Sequence, residues 1–97
     1  MKAAEVFPPG EYLKDELQAR SWTQTEFAKI IGRPIQVVNQ IIKGRKSITP
    51  ETAAAIGAAF GTSAQLWMNL EMAYRLANVR VDPNIQKRAK QMTAPVR

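Results

Sequence analysis

The chain has 97 residues, 45% of them apolar, which is enough for one domain around one modest core. Fourteen lysines and arginines against eight acids leave a net charge of +6, favouring anionic partners such as nucleic acid, an acidic protein surface or anionic lipid. With no cysteine and no histidine, disulfides, thiolate chemistry, the commonest general base and the commonest metal ligand are all missing, so no enzyme, cofactor or metal site is expected.

Phe7-Pro8-Pro9-Gly10 makes a stiff, non-helical lead-in, because proline fixes its own φ and restricts the residue before it. A first helix is predicted from Gly10 to Arg20, with Tyr12, Leu13 and Leu17 inward and Lys14, Asp15 and Gln18 outward. Thr23-Gln24-Thr25-Glu26 is a capping box that opens a second helix, with Trp22 as the staple residue before it. Phe27, Ile30 and Ile31 form its apolar side, and Gly32 ends it as a left-handed cap.

The run Pro34 to Ile42 is rich in β-branched residues and reads equally as a strand by propensity alone. Strand alternation would require residues 35, 37, 39 and 41 to match, and Asn39 breaks it. Helical spacing groups Val38, Ile41 and Ile42 and leaves Gln36, Asn39, Gln40 and Lys43 on the other side, so a helix is predicted from Pro34 to Lys43, closed by Gly44. Thr49, Pro50 and Glu51 start a fourth helix that Gly61 ends after Phe60. Ser63 caps a fifth, running to Ala77 with Leu66, Trp67, Leu70, Ala73, Tyr74 and Ala77 on a broad apolar band. Asp82-Pro83 starts a short sixth, from Asn84 to Met92. The fold class is all-α: an N-terminal arm over 1–9, a compact helical domain over 10–77 and a basic tail over 78–97.

The positive charge is uneven. Lys29, Arg33, Lys43, Arg45 and Lys46 lie between Glu26 and Glu51 with no acid among them, and Lys87, Arg88, Lys90 and Arg97 follow Asp82 in the same way. No apolar run reaches the roughly 18 residues of a membrane span, and no signal-peptide stretch opens the chain, so a cytoplasmic, nucleoid-associated protein with no membrane partner is expected.

A helix-turn-helix needs a small residue where its helices meet, a glycine at the turn, and apolar residues that lock both helices to the core. Ala28, Gly32, and the set Phe27, Ile31, Val38 and Ile41 supply these at the required spacing, placing the motif at about residues 23–43. The second helix of such a motif lies in the major groove of double-stranded DNA, with its outward, N-terminal residues at base edges. Ile35, Gln36, Val37, Asn39 and Gln40 are therefore the candidate base readers. Glutamine can bond an adenine edge bidentately, and an apolar Ile35 or Val37 can meet a thymine methyl group. Thr23 and Gln24 at a helix N-terminus, and Arg33, Lys43, Arg45 and Lys46 around the reader helix, are the candidate phosphate contacts. The fifth helix carries Met68, Met72 and Leu76 beyond what one face can bury, which points to a homodimer interface.

Four stretches carry a family resemblance: Pro9-Gly10-Glu11-Tyr12-Leu13, Trp22 to Ala28, Ile41 to Lys46, and Gly61-Thr62-Ser63-Ala64-Gln65-Leu66-Trp67-Met68-Asn69-Leu70. They resemble the lambda-repressor-like (XRE) family, and within it HigA-type antitoxins of toxin–antitoxin modules. Arg33 stands where that family usually has an apolar residue, and Ile35 fills a slot often polar. The resemblance implies a five-helix DNA-binding domain, an operator-binding dimer that represses its own operon, and a HigB-like ribonuclease toxin as partner. The alternative is the N-terminal regulatory module of a longer metallopeptidase-like or sensor protein. A nonspecific RNA- or membrane-binding helical protein would need exposed stacking aromatics or a basic amphipathic anchor, which this pattern lacks. The tail from Gln86 to Arg97 reads as a solvated helix, a second DNA arm or a toxin-binding element.

Overall fold

The structure is a computed structural model, and it describes residues 6–92. Six helices follow in order: α1 (Pro9–Ala19), α2 (Gln24–Ile31), α3 (Ile35–Ile42), α4 (Pro50–Phe60), α5 (Ala64–Ala77) and α6 (Ile85–Met92), with no strand among the described residues. Of the expected arm and tail, residues 1–5 and 93–97 lie outside the described residues.

Local chemistry sets the helix ends. At α2, Thr23 Oγ1 accepts from the Glu26 amide at 3.0 Å and Glu26 Oε1 accepts from the Thr23 amide at 2.8 Å, the predicted box. Gly32 closes that helix at φ 68°, where any side chain would be strained. Thr49 and Ser63 cap α4 and α5 by accepting from Thr52 and Leu66 amides. The ambiguous β-branched run is helical: burying Val38 and Ile41 outweighs its strand propensity, and Pro34 serves as N-cap rather than as the first helical residue. At the start of α6, Asp82 accepts from the Asn84 amide and pairs with Arg88, and both hold its carboxyl below the usual range.

The end of α1 was not legible from glycine. The Ser21 amide donates to Gln18 and the Trp22 amide to Leu17, both carbonyl acceptors, in the pattern of a Schellman cap, and Ser21 itself sits at φ 56°.

The core runs through all five leading helices: Leu13 and Leu17, Phe27 and Ala28, Val38 and Ile41, then Ala53, Ile56 and Phe60, and Trp67. Ile48, in the α3–α4 loop, joins them. Its centre is aromatic. Phe60 stacks on Phe27 at 5.2 Å and on Trp22 at 5.9 Å, and meets Trp67 at 5.8 Å. Trp22 also reaches Phe27, so the staple forms as expected. The Arg20 guanidinium lies 4.3 Å from the Phe60 ring and covers this stack from outside.

The inner faces are narrower than hydropathy suggests. Tyr12, Ile30, Leu66, Ala73 and Ala77, all expected inside, are exposed. On α2 the buried stripe centres on Phe27, Ala28 and Ile31, which turns Ile30 outward; on α5 it runs through Ala64, Trp67, Met68 and Glu71. From Leu76 to Met92 every residue is exposed, so the C-terminal stretch lies beside the core rather than in it.

Candidate nucleic-acid interface

The turn between α2 and α3 forms because Gly32 reverses the chain and the Arg33 amide then donates to the Ala28 carbonyl at 3.0 Å. Ala28 is buried where a larger side chain would push the helices apart. The two helices therefore meet as a rigid pair, with the outer face of α3 open to solvent.

That face forms a shallow concavity lined by Ile35, Gln36, Asn39, Gln40, Lys43 and Arg45. Gln36 and Gln40, one helical turn apart, are exposed, and so is Ile35 at the N-terminal end. Val37 is half-buried and packs against the core, so its methyl groups are mostly committed inward. Asn39 is half-buried too, and its Nδ2 donates to Gln24 Oε1 at 3.3 Å. This bond joins a candidate reader to a candidate phosphate contact. It also leaves the Gln24 amide nitrogen as the donor end of that side chain.

The flanking cations divide in two. Lys43, Arg45 and Lys46 are exposed, whereas Arg33 is half-buried beside the turn. The Gln40 carbonyl accepts from both the Arg45 amide at 2.8 Å and the Lys46 amide at 3.2 Å, so the basic loop continues directly from α3. Thr23 is exposed at the N-terminus of α2, with its hydroxyl oxygen already accepting from Glu26. Residues 27–50 contain no acid, so a phosphate approaching α3 meets cations and helix-start amides.

Two residues that sequence reasoning passed over support this face. Gly10 lies against the end of α3, where a Cβ would come within 2.4 Å of the Ile41 carbonyl oxygen and 2.7 Å of the Ile42 Cα. The one signal for it was a glycine directly after a proline pair at a helix start. Glu71, a lone acid in the apolar band of α5, is buried; its Oε1 accepts from the Ile48 amide at 2.9 Å and its Oε2 from Arg75. Of the expected dimer residues, Met68 packs against the core, while Met72 and Leu76 are 59% and 71% exposed.

Among the described residues, no group of acids could hold a metal ion, and no helix is long and apolar enough to cross a membrane.

The sequence model of the helix-turn-helix family matches residues 13–67, from the first buried leucine of α1 to the core tryptophan of α5. The chain belongs to this family, in its XRE branch. Among solved members, the Pseudomonas aeruginosa antitoxin HigA, determined with the higBA promoter, is 30% identical with a TM-score of 0.75, over 95% of this chain and 99% of that one. A further Pseudomonas aeruginosa structure, in complex with 28-bp operator DNA, is 31% identical with a TM-score of 0.74, over 91% of this chain and 92% of that one. An addiction-module antidote protein of the HigA family from Coxiella burnetii is 29% identical with a TM-score of 0.72, over 96% of this chain and all of that one. As a helix-turn-helix of the HigA kind, with a lambda-repressor-like fold, the chain has α2 as its supporting helix and α3 as its recognition helix.

Proposed function

We propose that this protein is a sequence-specific DNA-binding repressor and the antitoxin of a HigB/HigA-type module. It binds the operator of its own operon as a homodimer and neutralises a ribonuclease toxin encoded beside it. The observation that carries the reading is the exposed face of α3: Gln36 and Gln40 share one concavity with Lys43 and Arg45, and Asn39 in the same concavity bonds Gln24 at the start of α2. Such an arrangement suits base edges in the middle and phosphates at the margins. Two of the related structures described above hold operator or promoter DNA, which supports the same assignment.

In this reading Ile35, Gln36 and Gln40 read bases. Asn39, tied to Gln24, aligns the Gln24 side chain toward a phosphate and contributes to base reading from the edge of the helix. Thr23, Arg33, Lys43, Arg45 and Lys46 hold the backbone, and the protein performs no catalysis. It works in the cytoplasm, at the nucleoid. None of the relatives described above is a peptidase or a sensor, and that alternative is not carried forward.

The test is footprinting and gel-shift titration on the DNA upstream of the protein's own gene, over a salt series. Protection of a two-fold symmetric site, with log Kd rising by roughly 0.9 per phosphate neutralised for each decade of salt, is the expected result. No protection of that region at low salt would overturn the autoregulatory reading. Co-purification with the product of the adjacent open reading frame, and relief of its toxicity on co-expression, tests the antitoxin half.

A further inference from the structure

The basic loop from Lys43 to Thr49 connects α3 to α4, and its two halves are held differently. Its first half is anchored by α3 itself, through the Gln40 carbonyl and the Arg45 and Lys46 amides. Its second half turns away from α3, and there Ile48 sinks into the core at 2% exposure. A buried backbone amide needs an acceptor. No neighbouring carbonyl supplies one for Ile48; Glu71 Oε1, from α5, does so at 2.9 Å. Among the described residues this is the one hydrogen bond that joins the loop to an element other than α3 or α4.

Glu71 is an unusual residue for that task. It is 5% exposed in an otherwise apolar band, and it is the acid that local hydropathy would least favour. Its second oxygen is taken by Arg75, one turn along the same helix, which holds the carboxylate in place. Both oxygens are therefore committed, one to orientation and one to the loop. Arg45 and Lys46 lie three and two residues from the amide it grips.

We infer that Glu71 is a positioning residue for DNA binding: from α5 it fixes the path of the loop that presents Arg45 and Lys46 to the phosphate backbone. It touches no DNA itself. The inference rests on the DNA-binding reading above. Its physical content is that phosphate contacts cost ordering entropy, which a pre-fixed loop has already met.

Two variants of matched size separate acceptor from bulk. Glu71→Gln keeps an oxygen that can accept from Ile48; Glu71→Met fills the same space with none and leaves the Ile48 amide without its acceptor. Glu71→Asp, a methylene shorter, keeps the carboxylate but draws it back from the amide. With the full chain and its own upstream DNA, Glu71→Gln should bind like the wild type. Glu71→Met and Glu71→Asp should each lose about ten-fold in Kd, the scale of one buried hydrogen bond left unmade. Their salt slopes should flatten by about one, and Ile48 amide exchange without DNA should accelerate while the core amides of α2 stay protected. A purely structural role would lower thermal stability and accelerate Ile48 exchange while leaving the salt slope and the Kd of the folded protein unmoved.

Glu71→Met and Glu71→Asp binding with wild-type Kd and slope would overturn the inference while leaving the DNA-binding reading intact. Wild-type protein failing to bind at all would overturn the reading itself.

Discussion

Gln40 and Arg45 lie five residues apart, share one concavity, and are assigned opposite kinds of work. Gln40 projects from the last turn of α3 with an amide that can both donate and accept, so its value depends on the base it faces. Arg45 follows the helix in a loop and meets a charge that every sequence carries. Gln40→Ala should therefore relax preference at one base pair, a loss of about 1–3 kcal/mol confined to the preferred site. Arg45→Ala should weaken operator and random DNA alike and lower the salt slope by about one. Competition gel shifts against a panel of single-base operator variants distinguish the two; uniform weakening by Gln40→Ala would remove it from the reading face. Ser21 offers a prediction about stability instead. Its left-handed backbone at the α1 cap is strained for any side chain, so Ser21→Gly should raise stability by about 0.5–1 kcal/mol, measured by denaturant midpoint at constant m-value. Glycine caps at Gly32 and Gly61 were legible because they stand after apolar periodicity ends. The Ser21 cap was not, because the long-range stacking of Trp22 on Phe60 drives the turn and serine merely tolerates it.

Helix starts were readable for a related reason: a threonine or serine followed by amides to cap is a local device, and α2, α4 and α5 all begin with one. Which face a helix buries is not local. The apolar band on α5 is wider than the surface offered by α1 and α4, and only the stripe through Trp67 and Glu71 is covered. The same holds for the approach of α1 to α3, which depends on a missing side chain and so leaves no periodic trace. A methyl group at position 10 would overlap the backbone of Ile41 and Ile42, which cannot retreat without moving the recognition helix. Gly10→Ala should cost about 1–3 kcal/mol through overpacking, despite alanine's better helix propensity, and should lower operator affinity alongside stability. Thermal unfolding and gel shift on the same preparation check it; a stabilised variant would show that the two helices can part freely.

At the scale of the whole molecule, a row of exposed apolar residues runs from the outer side of α5 into the start of α6. Met72 and Leu76 project from the outer side of α5, and Val79, Val81 and Ile85 follow them, all exposed. Beside them α6 presents Lys87, Arg88 and Lys90. A monomer gains nothing by holding such a row in water, and a two-fold partner meeting it through α5 would cover it while leaving both α3 helices free. The surplus was visible in the sequence, but Met68 was counted with it, because a methionine one turn from Met72 reads as the same face until the core claims it. The double substitution M72K/L76K should therefore shift the protein to a monomer in sedimentation equilibrium without lowering helix content, since neither residue is buried within the chain. DNA binding should fall far more than the loss of two apolar contacts implies. A dimer reads two half-sites as one event, and separating the protomers removes the effective concentration that couples them, a factor of about 10²–10⁴. If M72K/L76K stays dimeric, or becomes monomeric yet protects the operator at wild-type concentrations, this face is not the one that pairs the recognition helices.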